Sequence, residues 1–161
     1  MIKIRRAEVS DSAKIAALHN ECLLGTPWSE NLYKEELADA SKHYFIAESD
    51  VGFLGFAGFA QILDEAHIMN VAVSLVARRQ GVASMLLEQL IKCAAKCGAT
   101  VATLEVRISN KPAIALYEKI GFASLGVRPN YYDGCEGAEI MEMRIKEQRY
   151  PIKDTAEGRK T

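Results

Sequence analysis

The hexapeptide "RRQGVA", residues 78 to 83, stands between the apolar run "IMNVAV" and the helical pattern "SMLLEQLIKCAAK". A helix that begins at Val82 or Ala83 offers unpaired backbone N–H groups and a partial positive charge at its N-terminus. Gly81 lets a ligand approach the backbone, and Arg78 and Arg79 add charge. The chemistry of such a junction is that of an anion cradle, and its natural guest is a phosphate or pyrophosphate. A second glycine-rich stretch, "GFLGFAGF", has Gly52, Gly55 and Gly58 at intervals of three. It matches neither G-x-G-x-x-G nor G-x-x-x-x-G-K-S/T and lies inside a strand pattern, so a bent strand or close packing explains it better than a nucleotide loop.

The remaining residues with chemical potential are more ambiguous. Glu105, flanked by Leu104 and Val106, suits the solvent side of an alternating strand as well as a catalytic carboxylate. Tyr117 suits a half-buried helix aromatic, and Asn110 a helix cap. Tyr131 and Tyr132, between Pro129 and Gly134, suit either packing in a loop or the lining of a peptide groove. Trp28 reads as a packing anchor, and His19, His43 and His67 as isolated, structural or exposed residues. Cys93 and Cys97 would lie one turn apart on a helix, but no second Cys/His pair at ligand spacing accompanies them. With Cys22 and Cys135 they are expected to be free thiols in a reducing compartment, with no metal.

The elements that must position these groups follow from periodicity. "IKIRRA" opens as a strand, and "SDSAKIAALHNEC" as a helix with Ser10 or Asp11 as N-cap and Ile15, Leu18 and Cys22 on one stripe. A second helix starts at Ser29 and should carry Leu32 and Leu37 inward. "YFIAES", "FLGFAGFAQIL" and "AHIMNVAV" form a meander of three strands with turns at "DVG" and at Asp64 and Glu65. The helix after Gly81 buries Val82, Leu86, Leu90 and Ala94 and stops at Gly98. "TVATLEVR" is a buried strand, and "SNKPAIALYEKIG" a helix capped by Asn110 and ended by Gly121. "GFASLGVR" and "AEIMEMRI" complete the set. The order predicts an α+β domain around a mixed sheet.

The 161 residues, 49% hydrophobic and 25% charged, suffice for one soluble domain. A formal net charge of −1 argues against direct capture of nucleic acid or a membrane surface. The N-terminus lacks an apolar leader and no stretch reaches the length of a membrane span, so a cytoplasmic location is expected. The polar tail "EQRYPIKDTAEGRKT" lacks a hydrophobic period; the domain is expected over 1–147 and a frayed tail over 148–161.

Taken together, "PWS" (27 to 29), "NVAV" (70 to 73), "RRQGVA", "LEVRISNKPAIALYEKIGF" (104 to 122) and "VRPNYYDG" (127 to 134) resemble the GCN5-related N-acetyltransferase (GNAT) superfamily over nearly all of residues 1 to 147. Within it, the likeness is to the bacterial enzymes that acetylate the N-terminal alanine of a ribosomal protein. The resemblance implies a mostly antiparallel sheet with helices on both faces and a splayed central strand pair. It also implies acetyl-CoA as cosubstrate, its pyrophosphate on the backbone around Arg78, Arg79, Gln80, Gly81, Val82, Ala83 and Ser84 and its pantetheine arm beside Val71, Ala72 and Val73. Asn110 would touch the cofactor, Glu105 would be the general base and Tyr117 the proton donor to the thiolate. Ala83 stands where the family's loop often has glycine.

The acceptor would be a protein N-terminus, gripped by Trp28, Tyr131 and Tyr132, with loops around 25 to 35 and 128 to 137 setting specificity. A preference for basic peptides follows if Glu30, Glu35, Asp133 and Glu136 face the groove. Direct attack in a ternary complex is expected; a route through acetylated Cys135 finds no histidine beside it. Other protein N-termini, lysines or a small amine are alternative acceptors, and a non-catalytic acyl-CoA-binding module is an alternative class. A monomer or weak dimer is expected.

Overall fold

The computed structural model describes residues 1–22, 26–132 and 136–145. Cys135, Asp133, Gly134 and the tail from 146 onward, on which several expectations fall, lie outside them. Eleven elements follow the predicted order: β1 (Lys3–Arg6), α1 (Ser12–Cys22), α2 (Glu30–Ala38), β2 (Lys42–Ser49), β3 (Gly52–Ile62), β4 (Glu65–Val73), α3 (Val82–Lys96), β5 (Val101–Arg107), α4 (Lys111–Ile120), β6 (Ala123–Tyr132) and β7 (Glu136–Arg144). The strands make one sheet in the order β1-β2-β3-β4-β5-β7-β6. Every neighbouring pair is antiparallel except β4 and β5.

Strand alternation assigns the two cores. Phe45, Leu54 and Phe59 face α3, which buries Val82, Leu86, Leu87, Leu90, Ile91 and Ala94 against them. Each of the larger of these apolar side chains contributes about 1.5–3 kcal/mol of burial. Tyr44, Ile46 and Phe56 point to the opposite face, where Ile15, Leu18 and Tyr33 of α1 and α2 cover them. Helices therefore flank the sheet on both sides, as the resemblance implied. The glycines of β3 serve close packing: a Cβ on Gly58 would stand 2.4 Å from the Tyr44 ring, and one on Gly55 2.6 Å from the carbonyl oxygen of Ala72.

Several local expectations need correction. α1 begins at Ser12 after a 3₁₀ turn at Val9–Asp11. Asp11 accepts from the Glu8 N–H at 2.7 Å and from the Arg5 guanidinium at 2.9 Å, so it closes the turn instead of capping α1. Ser29 does cap α2, accepting from the Leu32 N–H. Yet Leu32 is exposed, and Tyr33 and Glu36 are the buried pair. The Glu36 carboxylate tolerates burial because the Tyr44 hydroxyl donates to it at 2.9 Å and the Lys42 ammonium binds it. The segment expected as a loop from residue 128 is strand up to Tyr132. β5 buries only one face, that of Ala102, Leu104 and Val106.

The feature that makes room for a site is a failure of pairing. β4 and β5 are in register only over Glu65·Val101, Ala66·Ala102 and His67·Thr103. Immediately beyond, the register between β3 and β4 shifts: Phe59 opposes Ile68 and Gly58 opposes Asn70, leaving Met69 as an extra residue. A bulge bends its strand and reverses its facing. Ala66 and Ile68 face the α3 core before it, whereas Val71 and Val73 do so after it. The remainder of β4 thus leaves β5, and a cleft opens between them.

Candidate active site

The cleft is lined by His19, Thr26 and Trp28 on the side of α1 and α2, by Met69, Asn70 and Val71 of β4, by Glu105, Val106 and Arg107 of β5, and by Asn110, Tyr117 and Tyr132. Glu105 and Tyr117, predicted from different elements, therefore meet the same opening. Glu105 lies on the face of β5 that points away from the α3 core, two positions past the last residue paired with β4.

His67 is the partner that sequence reading missed. Its Nε2 lies 2.6 Å from the Glu105 Oε2. That contact holds the Glu105 carboxyl below its usual range despite partial burial, and raises the His67 imidazole above its usual value. The two residues are 38 positions apart, and neither strand's alternation reveals the pair. Tyr117 packs edge-to-face on Phe122 at 5.9 Å. Burial, reinforced by Tyr132, pushes its phenol up to about 12, so at neutral pH it carries its proton.

The wall on the side of α1 and α2 is a second polar assembly. The Asn20 side chain donates to the Trp28 carbonyl and accepts from the Trp28 N–H, both at 2.9 Å. The indole stacks on the His19 ring at 5.1 Å, and His19 Nδ1 lies 2.7 Å from the Tyr33 hydroxyl. Asn70 donates to that same hydroxyl at 3.3 Å, tying the wall to the bulged stretch of β4. Burial lowers the His19 pKa, opposed by a hydrogen bond with the Thr26 backbone. None of the three histidines is isolated, because His43 also stacks on Phe59.

On the far rim, the Arg107 guanidinium sits 4.3 Å from the Tyr132 ring centroid and donates to Glu136 at 3.0 Å. Glu136 also accepts from the Ser109 N–H and hydroxyl. Its charge is engaged there, while Glu30 pairs with Lys34 on an exposed helix face. Neither Glu30 nor Glu136 lines the cleft. Tyr131 packs on Tyr132 at 4.9 Å and beneath Arg128, but does not line the cleft.

Beside the cleft lies the anion cradle. Val73, Ala77, Arg78, Arg79, Gly81, Val82, Ala83, Ser84 and Leu116 line a second depression. Gly81 precedes α3 at φ +77 with no side-chain cap, and the first helical bond runs from the Met85 N–H to the Gly81 carbonyl. The N–H groups of Val82, Ala83 and Ser84 thus lack intrahelical acceptors. Arg79 also adopts positive φ, +63. A Cβ at Gly81 would meet nothing within 4 Å, so the space above it is open. A diphosphate fits this donor set. Arg78 lines this depression with its Nε directed to the Val73 carbonyl at 3.4 Å. Gln80 turns to the Val76 carbonyl at 3.2 Å. Asn110 lines the cleft while its side chain accepts from the Ala113 N–H at 3.3 Å.

Comparison with known proteins gives consistent matches. The Acetyltransferase (GNAT) family matches over residues 13–122. The [ribosomal protein bS18]-alanine N-acetyltransferase of Escherichia coli K12 is 39% identical over 122 residues, 74% of this chain and 82% of the relative. An N-alpha-acetyltransferase of Sulfurisphaera tokodaii is 32% identical over 152 residues, covering 86% and 90%. The crystal structure of the ribosomal-protein-S18-alanine N-acetyltransferase from Escherichia coli superposes with a TM-score of 0.81 at 36% identity, covering 91% of this chain and 95% of that one.

Proposed function

The chain belongs to the GNAT family of N-acetyltransferases, and from that premise we propose that it acetylates the N-terminal α-amine of a ribosomal protein, with alanine first, by direct attack on acetyl-CoA in a ternary complex. The observation that carries this reading is the parting of β4 from β5 after His67·Thr103, which puts Glu105 and Tyr117 in one cleft beside the uncapped start of α3.

Acetyl-CoA supplies an activated acetyl thioester. The backbone from Arg79 to Ser84 would hold its pyrophosphate, and the freed edge of Val71 to Val73 would pair with its pantetheine amides. Glu105, kept ionised by His67, accepts the proton that the attacking amine must lose, directly or through a water. Tyr117, still protonated at neutral pH, donates to the departing sulfur. Trp28 and Tyr132, which both line the cleft, would bound the acceptor channel. Tyr131 would act by buttressing Tyr132.

The acceptor class follows from proton affinity. An α-amine with a pKa near 8 is about a tenth neutral at pH 7, whereas a lysine near 10.4 needs roughly 4–5 kcal/mol to lose its proton. One carboxylate serves the former more readily. No helix among the described residues is long and apolar enough to cross a membrane. The reading assigns the activity to residues 1–147, with the 148–161 tail outside it, and to a cytoplasmic monomer or weak dimer.

Mass spectrometry of peptides beginning Ala, Ser or Met, each with an internal lysine, tests the proposal after incubation with enzyme and acetyl-CoA. One acetyl group on the α-amine, fastest for Ala, is the expected product. Acetylation confined to lysine would overturn the acceptor assignment.

A further inference from the structure

At the C-terminal end of α3, remote from the anion cradle at its N-terminus, three soft donors converge. Cys93 and Cys97 project from successive turns, and His43 enters from the start of β2, 54 residues before Cys97. Nε2 of His43 lies 3.9 Å from Cys97 Sγ, and all three donor atoms fall within 4.8 Å of one another. This is the one group of three or more potential His, Cys, Asp or Glu ligands found among the described residues. Cysteine spacing alone did not show it, because the third donor arrives through the tertiary fold.

We propose that His43, Cys93 and Cys97 bind one thiophilic divalent cation, with Zn²⁺ the best match. Zinc bonds of about 2.3 Å to sulfur and about 2.0–2.1 Å to nitrogen, at tetrahedral angles, separate donors by about 3.6–3.8 Å. The donor atoms, all within 4.8 Å of one another, must close by about 1 Å at most to reach that. Two thiolates and one imidazole are a recurrent zinc donor set, and water completes the fourth position. Cys97 is exposed, which gives the ion an entry path, while Cys93 is 7% exposed and anchors the inner side. The His43 ring is already held by stacking on Phe59 at 4.9 Å and 21°. Binding forms two metal–sulfur bonds and one metal–nitrogen bond, and the two thiol protons leave to solvent.

Arg6 shares this corner. Its guanidinium contacts His43 Nδ1 at 3.2 Å and Cys93 Sγ at 3.5 Å. A His43 metallated at Nε2 carries its proton on Nδ1 and cannot accept from Arg6, so that contact must break. The contact to Cys93 is compatible, since a metal-bound thiolate accepts a charge-assisted hydrogen bond. Arg6 is exposed and also lies over the Phe45 ring at 5.0 Å, which gives it a place to move. The ion would staple α3 to β2 at the end of the sheet opposite to the cradle.

The test is titration of the reduced, chelator-treated full-length protein with Co²⁺ and then Zn²⁺. One Co²⁺ per chain should bind with a sulfur-to-cobalt charge-transfer band, and stoichiometric Zn²⁺ should abolish the band and raise the thermal midpoint. Cys97→Ser and His43→Gln, both at sites that are not fully buried, should each weaken binding by at least about 10–100-fold, the usual cost of disturbing even a ligand's support. Cys22→Ser should leave the band intact. Absence of the band, or a band unaffected by Cys97→Ser and His43→Gln, would overturn the assignment.

Discussion

The imidazole of His67 and the carboxylate of Glu105 stand 2.6 Å apart across two parallel strands at the point where those strands cease to pair. The contact makes the proposed base a better-positioned acceptor and keeps it ionised. It also makes His67 a positioning residue, acting through Glu105.

Removal of either member should separate chemistry from binding. Glu105→Gln is expected to lower kcat about a hundredfold or more, the ordinary contribution of a general base, with acetyl-CoA affinity nearly unchanged. His67→Gln should cost less and should move the acidic limb of kcat/KM to higher pH, because Glu105 then titrates closer to an ordinary glutamate. Steady-state rates across about pH 3.5–9 with an Ala-starting peptide check both.

The same pair gives a signature in stability. The Glu105 pKa is lowered by folding, so its contribution is present above the ordinary glutamate value and is lost as pH falls through the lowered one. The His67 pKa is raised, so its contribution is full below the ordinary histidine value and is lost as pH rises through the raised one. The thermal-midpoint difference between wild type and His67→Gln should be largest between about pH 4.3 and 6.5 and should shrink above that window. Partial exposure of both side chains keeps the effect to about 1 kcal/mol or less.

Tyr117→Phe should reduce kcat while leaving the acidic limb in place. Since the wild-type phenol titrates at about 12, no alkaline loss of activity from it is expected below pH 10. A Phe variant with undiminished turnover would remove Tyr117 from the donor role.

Asn20→Ala should act on the peptide alone. It deletes two hydrogen bonds that fix the Trp28 backbone. A rise of about fivefold in peptide KM, corresponding to about 1 kcal/mol of hydrogen bonding, is expected without a matching change in acetyl-CoA KM.

Two glycines should respond differently to alanine. Gly58→Ala drives a Cβ into the buried Tyr44 ring and should destabilise the fold by about 1–3 kcal/mol. Gly81→Ala meets no neighbour, but forces an L-residue to φ +77 and alters the cradle, so acetyl-CoA KM should rise with a stability loss of about 1–2 kcal/mol. Denaturant midpoints and initial rates separate the two.

Much of this architecture was legible in residue order. The stripe Val82, Leu86, Leu90 and Ala94, the Asn110 cap and the left-handed Gly81 and Gly98 are local signals, and local physics enforces them. What stayed hidden was relational. Burial of Glu36 in place of Leu32 depends on Tyr44 and Lys42, which lie in the next strand. The extra residue at Met69 leaves no mark in the apolar pattern, yet it reverses the facing of β4 and opens the cleft. His67, His19 and His43 look isolated along the chain because each finds its partner on another element.

Calorimetric titration of acetyl-CoA into wild type, Glu105→Gln and Gly81→Ala separates capture of the cofactor at the start of α3 from proton transfer at Glu105. One site per chain is expected, with equal affinity for wild type and Glu105→Gln and weaker binding for Gly81→Ala. No heat of association with wild-type protein, or an affinity untouched at Gly81 but abolished at Glu105, would contradict the account.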